Sequence, residues 1–264
     1  MYELNLVRRR KRRIIAAIVG GVGTTGVATF CIAAFLGHRT GSFTVALEGR
    51  NAQLTLSERS SFEEKSSFLR VGEVPGFQEY TYSRFRSLGE GALDDEENDY
   101  TFGFRTNKKG VKHTDFLKYT FFVKNVGVDA AEYDFSLQIK EVVATSNGQT
   151  LEDSFRVMVF DNGVPEVYAK RLQVPRVEDG VADYRAPISV NEADATIDYP
   201  FEGYAKIFNS STEIMSEKAQ HLEVNEVRKY TIVTWLEGFQ SSGDGDTLRG
   251  ASIKLGVEIN AYEN

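Results

Sequence analysis

The sequence predicts an all-β fold: an antiparallel β-sandwich, jelly-roll or immunoglobulin-like, exported behind a single N-terminal transmembrane helix. Three observations carry that expectation. Apolar and polar residues alternate with period two, as in Tyr133, Phe135, Leu137 and Ile139 against Asp134, Ser136, Gln138 and Lys140, and again in Ile253, Leu255, Val257 and Ile259 against Ser252, Lys254, Gly256 and Glu258. That is the pattern of strands with one face on a core. Turn signals such as Lys124-Asn125-Val126-Gly127, Ser146-Asn147-Gly148 and Asp161-Asn162-Gly163 punctuate the chain. Beyond the N-terminal segment, no convincing window of ten or more residues shows helical apolar spacing.

The first element is a basic cytoplasmic N-terminus, residues 1–13, ending in Arg8, Arg9, Arg10, Lys11, Arg12 and Arg13. Residues 14–37 then run 24 positions with Cys31 as the one ionisable side chain. As a helix they would extend about 36 Å, enough to cross a hydrocarbon core of about 30 Å. Backbone groups in lipid have no water to bond, which favours the helix despite its Gly and Thr content. The basic run stays cytoplasmic and the C-terminal domain, residues 38–264, is exported, so the bilayer is the partner of residues 14–37 and the chain sits in the cell membrane. The alternative is a cleaved signal peptide, which shares the basic start but has an apolar core of only about 7–15 residues. Ala33-Ala34 is the tempting cleavage point for that reading.

Small residues line two rows of this segment, one through Gly20 and Thr24 and one through Gly21 and Thr25, spacings that let helices approach closely and suggest a homo-oligomer. Gly21-Val22-Gly23-Thr24-Thr25-Gly26 also matches the dinucleotide fingerprint, with Glu48 lying 22 positions beyond Gly26. The fingerprint has meaning only inside a βαβ fold, and no further βα units follow. No cofactor is expected.

Further strands are expected at Phe43–Leu47, Leu54–Ser57, Tyr119–Lys124, Phe155–Phe160, Val167–Leu172, Ile188–Val190, Tyr204–Phe208 and Tyr230–Leu236. Asp161-Asn162-Gly163-Val164-Pro165 reads as a hairpin connection. Ser57–Ser67 and Ser87–Tyr100 read as loops, and Pro175–Pro187 is a third such stretch, read as an insertion.

Composition sets outer limits. The 264 residues are 41% hydrophobic and 26% charged, enough for a core and inconsistent with a wholly disordered chain. One cysteine leaves no intramolecular disulfide framework and no Cys-rich zinc site. The net charge of −7 argues against nucleic-acid binding. It is also unevenly split. Six of the 31 Lys/Arg and one of the 38 Asp/Glu precede residue 38, so the exported part holds 25 basic and 37 acidic residues, or −12.

Three segments resemble a family of Gram-positive surface proteins. They are Tyr119-Thr120-Phe121-Phe122-Val123-Lys124-Asn125-Val126-Gly127 with Tyr133-Asp134-Phe135, Arg156-Val157-Met158-Val159 with Asn162-Gly163 and Val167-Tyr168-Ala169-Lys170, and Tyr230-Thr231-Ile232-Val233-Thr234-Trp235-Leu236-Glu237-Gly238 with Gly250-Ala251-Ser252-Ile253-Lys254-Leu255. The chain is similar to uncharacterised membrane-anchored proteins of Firmicutes with a C-terminal Trp-Leu-Glu-Gly hairpin, and more distantly to the TasA/camelysin group of exported β-sandwich proteins. The resemblance implies an envelope location, a sandwich fold and an envelope or matrix protein partner. It carries no catalytic residues. Here Gln240-Ser241-Ser242-Gly243-Asp244-Gly245-Asp246 stands where the family often has Asp-Pro-x-Cys.

The chain has no Gly-x-Ser-x-Gly elbow, His-Glu-x-x-His helix or P-loop. His38 borders the membrane and His113 and His221 sit in polar loop-like contexts, and all three read as solvated side chains. Trp235, the single tryptophan, lies in an alternating run and reads as a packing residue. Two acidic loops are calcium candidates: one with Asp94, Asp95 and Glu97, the other with Asp244, Asp246 and Glu237 as a further donor. Neither has EF-hand spacing, and an ordinary solvated charge run is the favoured reading of both. The function expected is therefore that of a non-enzymatic, anchored surface protein with a structural or interaction role. The alternatives are a secreted matrix or fibre subunit whose N-terminal segment is cleaved, and a dinucleotide-binding enzyme using Gly21, Gly23 and Gly26.

Overall fold

A computed structural model of the chain describes residues 30–33, 41–48, 53–74, 79–80, 82, 85, 93, 104–106, 112–114, 116–188, 203–237 and 250–262. In chain order its strands are β1 (Phe30–Ala33), β2 (Gly41–Glu48), β3 (Leu54–Ser57), β4 (Phe68–Val74), β5 (Glu79–Tyr80), β6 (Phe104–Thr106), β7 (Lys112–Thr114), β8 (Phe116–Asn125), β9 (Ala131–Val143), β10 (Phe155–Asp161), β11 (Val164–Ala169), β12 (Arg176–Glu178), β13 (Val181–Asp183), β14 (Lys206–Ile207), β15 (Glu213–Leu222), β16 (Val227–Glu237) and β17 (Ser252–Ala261). The fold is all-β, with no α-helix among the described residues.

One sheet has the order β15-β9-β17-β2-β4, with β1 also on β17; the other has the order β14-β11-β10-β16-β8-β3, with β5 on β16. Most neighbours are antiparallel, while β17–β2, β11–β14 and β16–β5 are parallel. The alternation read in the sequence sets which side chains face inward. Tyr133, Phe135, Leu137 and Ile139 of β9 and Ile253, Leu255, Val257 and Ile259 of β17 join Tyr119 and Phe121 of β8, Val157 of β10 and Ile232 of β16 in one buried cluster shared by both sheets. Burying a large aliphatic or aromatic side chain stabilises by about 1.5–3 kcal/mol, so this shared face supplies most of the driving force for folding.

The second sheet is covered on its other face too. Phe116, Val233, Trp235, Met158, Val167 and Ala169 point away from the shared core and pack with Tyr80, Tyr82, Phe85, Ala186, Ile188 and Ala205. Two covered faces explain why β8 and β16 are buried at nearly every position and read as continuous apolar runs, whereas β9 fades into alternation with solvent at its end. Trp235 meets Phe85 edge-on with ring centroids 5.0 Å apart, in the packing role expected of it.

The hairpin expected at Asp161–Pro165 joins β10 to β11. Asn162 at φ 47° and Gly163 at φ 90° place both central residues in the left-handed region, the signature of a type I′ turn. Other expectations are corrected. Pro175–Pro187 contains the small hairpin β12–β13 rather than loop alone. Of the strand expected at Ile188–Val190, Ile188 is buried but outside any strand. His113 and His221 fall in β7 and β15, not in loops. The Trp-Leu-Glu-Gly segment is not half of a hairpin, because β16 and β17 belong to different sheets.

Phe30–Ala33, within the segment expected as a helix over 14–37, form strand β1. These residues pair antiparallel with Leu255–Ser252 of β17. β2 covers the same edge of β17 only over Val257–Asn260, which leaves backbone donors and acceptors farther back for another strand to satisfy. No helix of the described residues is long and apolar enough to cross a membrane. Residues 14–29 and 34–37 lie outside the described ones.

Within the shared core, the hydroxyls of Tyr133 on β9 and Tyr230 on β16 bond each other across the two sheets at 2.9 Å. The Tyr230 ring stacks on Phe135 at 4.3 Å. A buried hydroxyl stripped of its partner costs about 1–3 kcal/mol, while removing both can be nearly neutral. Tyr133→Phe is therefore expected to destabilise the chain by about that amount, and Tyr230→Phe added to it to recover much of the loss, in a double-mutant cycle read by denaturant unfolding.

Candidate functional site

Where the sheets end side by side, the inner-face rows of three strands run past the apolar core into acids. On β10 the row Phe155, Val157, Val159 continues to Asp161; on β11 Tyr168 continues to Glu166; on β15 Met215 continues to Glu217. Val159, Asp161, Val164, Glu166, Tyr168, Met215 and Glu217 line a cavity of about 150 Å³ between the β10–β11 hairpin and β15 of the opposite sheet.

Two of the three carboxyls are matched. Arg228 of β16 grips Asp161, with Nε donating to Oδ1 at 2.6 Å and Nη2 to Oδ2. That hydrogen bond, stronger than the opposing burial, holds the Arg228 guanidinium above its ordinary range. Glu166 accepts from Lys206 Nζ and from the Tyr168 hydroxyl. Burial works to raise the Glu166 carboxyl, but these bonds outweigh it and keep it below the usual range.

Glu217 is the unmatched one. Its Oε2 is buried with no hydrogen-bond partner among the described residues. Burial first, then repulsion from Asp161 and Glu166 set against attraction to Arg228 and Lys206, pushes its carboxyl up to about 7. The backbone aims it there. The β15–β9 ladder slips between Glu217 and Gln220, and Ala219 takes φ 51°. Asp134 of β9 holds this bulge, accepting from Ala219 N at 3.0 Å and from Lys218 Nζ at 2.7 Å.

A carboxyl near neutrality in a small walled cavity can hold or release a proton under ordinary conditions. The lining offers no histidine, cysteine or serine. Among the described residues no group of three His, Cys, Asp or Glu is placed to hold a metal ion.

A second polar cluster lies on the outer face of the second sheet. Arg156 is fully buried; Nη1 donates to Asp153 O and Phe155 O, each at 3.0 Å, and Nη2 to Pro187 O at 3.2 Å. Burial lowers its guanidinium to about 10 against the pull of Glu237 and Asp153. Glu237 Oε2 accepts from Trp235 Nε1 at 3.0 Å and from Tyr82 N at 3.4 Å. These bonds fasten connecting segments to the sheet.

The residues singled out in the sequence fall elsewhere. Asp94, Asp95, Glu97, Asp244 and Asp246 lie outside the described residues, as do Arg8–Arg13, Gly20, Gly21, Gly23, Thr24, Thr25 and Gly26. His221 is exposed beside Glu223 at 3.1 Å. The cavity acids were missed individually, yet a signal existed: Asp161 continues the register of Phe155, Val157 and Val159, a carboxylate on an apolar face.

Two outcomes follow for stability. Between the ordinary carboxyl value of 4.5 and about 7, the folded chain keeps a proton on Glu217 that the unfolded chain has released. Unfolding free energy should therefore fall as pH rises through that window, and Glu217→Gln should flatten the slope in denaturant titrations at pH 5 and pH 8. The depressed Glu166 acts the opposite way and lower down, adding stability above its ordinary value that is lost on acidification. Arg228→Met, which strands Asp161 without its partner, should cost about 1–3 kcal/mol in the same titrations.

Compared with protein-family models, with curated proteins and with solved structures, the chain has no match.

Proposed function

We propose that the chain is a single-pass, membrane-anchored cell-surface protein whose exported domain has a structural or interaction role and performs no catalysis. The observation that carries this reading is the order of its parts: a run of six cationic residues, an apolar segment, and then an acidic domain built from two sheets around a shared core. The shared core supports a β-sandwich of jelly-roll or immunoglobulin-like type for residues 38–264. The basic run holds the N-terminus in the cytoplasm and the bilayer is the first partner. With Phe30–Ala33 in a strand, the span draws back to residues 14–29, about 24 Å as a helix, slightly short for a hydrocarbon core of about 30 Å. Local thinning and snorkelling of Arg12 and Arg13 accommodate such a mismatch. Envelope or matrix proteins and further copies of the chain are the partners this location offers.

The same strand favours a second reading, an exported matrix or fibre subunit with the N-terminal segment removed. Cleavage near residue 35 would take β1 away and leave the edge of β17 open over Ser252–Leu255 for a strand from another molecule.

Mass spectrometry of the mature N-terminus, with external proteolysis of intact Gram-positive cells expressing the full chain, decides between them. Anchoring predicts a retained basic run, a chain in the membrane fraction and a C-terminal domain cut from outside. A start near residue 35 with the protein in the medium overturns it for the second reading. A chain protected inside intact cells overturns both.

A further inference from the structure

The cavity between β11 and β15 holds three carboxyls, and two cations reach it. Both cations are committed: Arg228 to Asp161, Lys206 to Glu166. Glu217 alone crosses the seam without a partner for its buried Oε2. As a neutral acid it fits a pocket walled by Val159, Val164 and Met215. As a carboxylate it adds an unbalanced charge beside two others, and burying an unpaired charge is the costliest outcome a core can face.

The structure also provides the freedom to move. The ladder between β15 and β9 is already broken between Glu217 and Gln220, so the segment can swing without stripping bonds from the whole strand. Asp134 holds the residues inside that break, at Ala219 N and Lys218 Nζ, which fixes the point about which Glu217 would turn. On the facing sheet, β14 pairs with β11 only at Tyr168 and Ala169, and farther along the β11 edge the Lys206–Glu166 ion pair joins the two strands.

We propose that Glu217 is the moving part of a proton-operated latch between the two sheets: neutral, it stays in the cavity and holds β11 and β15 together; ionised, it leaves for solvent and opens the seam. The groups facing it are Asp161 of β10, Glu166 and Tyr168 of β11, Lys206 of β14 and Arg228 of β16, with the Tyr133–Tyr230 hydroxyl pair behind them. A rise in pH from the mildly acidic to the alkaline side of neutrality opens the latch. The device goes beyond the anchoring proposal and does not depend on it.

Amide hydrogen exchange of the full-length chain in detergent, read by mass spectrometry at pH 5.5 and 8 and corrected for the intrinsic pH dependence of exchange, tests the latch. Peptides covering Val164–Ala169 and Met215–Leu222 should lose about tenfold or more of their protection at pH 8, while β8 and β17 keep theirs. Glu217→Gln should keep the seam protected at both pH values. Equal corrected protection in the native chain, or an undiminished pH response in Glu217→Gln, overturns the proposal. Lys206→Gln leaves Glu217 in place and removes a cation that favours its ionised form, so the opening midpoint should move to higher pH. A midpoint that stays or falls also overturns it.

Discussion

A strand with one face on a core gives its side chains no choice of side. Inner-face position, fixed by alternation, is the constraint on which this molecule depends. Across β9 and β17 of one sheet and β8, β10 and β16 of the other, it brings aromatic and aliphatic side chains into one shared cluster. It also acts where the residues are unsuited to burial. Asp161, Glu166 and Glu217 continue inner-face rows into a half-open cavity, which they line together with Val159, Val164, Tyr168 and Met215. The cavity and its perturbed carboxyl arise from the same rule as the core.

The second constraint is that the second sheet is buried on both faces. β16 illustrates the result: Tyr230, Ile232 and Leu236 enter the shared core, while Val233 and Trp235 enter the outer cluster. Polar groups caught on that outer face are held locally: the Arg156 Nη atoms and Glu237 bond backbone groups of connecting segments and the Trp235 indole, while Arg156 Nε stays buried without a partner among the described residues. Together the two constraints account for nearly continuous burial along most of β8 and β16 and for the use of the fully buried Arg156 and Glu237 as structural fastenings.

Much of the fold was legible in the sequence. Leu54–Ser57 is β3 as expected, and β2, β8, β9, β10, β16 and β17 each enclose an expected run. Asn162-Gly163 announced its turn through the positive φ that both positions adopt. What was not legible has physical reasons. β15, Glu213–Leu222, alternates poorly because a bulge shifts its register midway and because its far edge pairs with no strand of the sheet. Phe30–Ala33 is apolar enough for lipid and for a sheet edge alike, and composition cannot choose between a helix in one and a strand on the other. Of the candidate site, each acid looked like an ordinary surface residue; only the superposition of three inner-face rows from two sheets makes them a group, and that superposition is tertiary.

The central claim is that Glu217 occupies an inner-face position and carries its carboxyl into the cavity. Carbon-13 NMR of the full-length chain, labelled at glutamate side-chain carboxyls and assigned to this residue by comparison with the Glu217→Gln variant, reads its titration directly. Held in the cavity, the carboxyl should titrate with a midpoint near 7. A midpoint at the ordinary value of about 4.5 would place the carboxyl in water and contradict it.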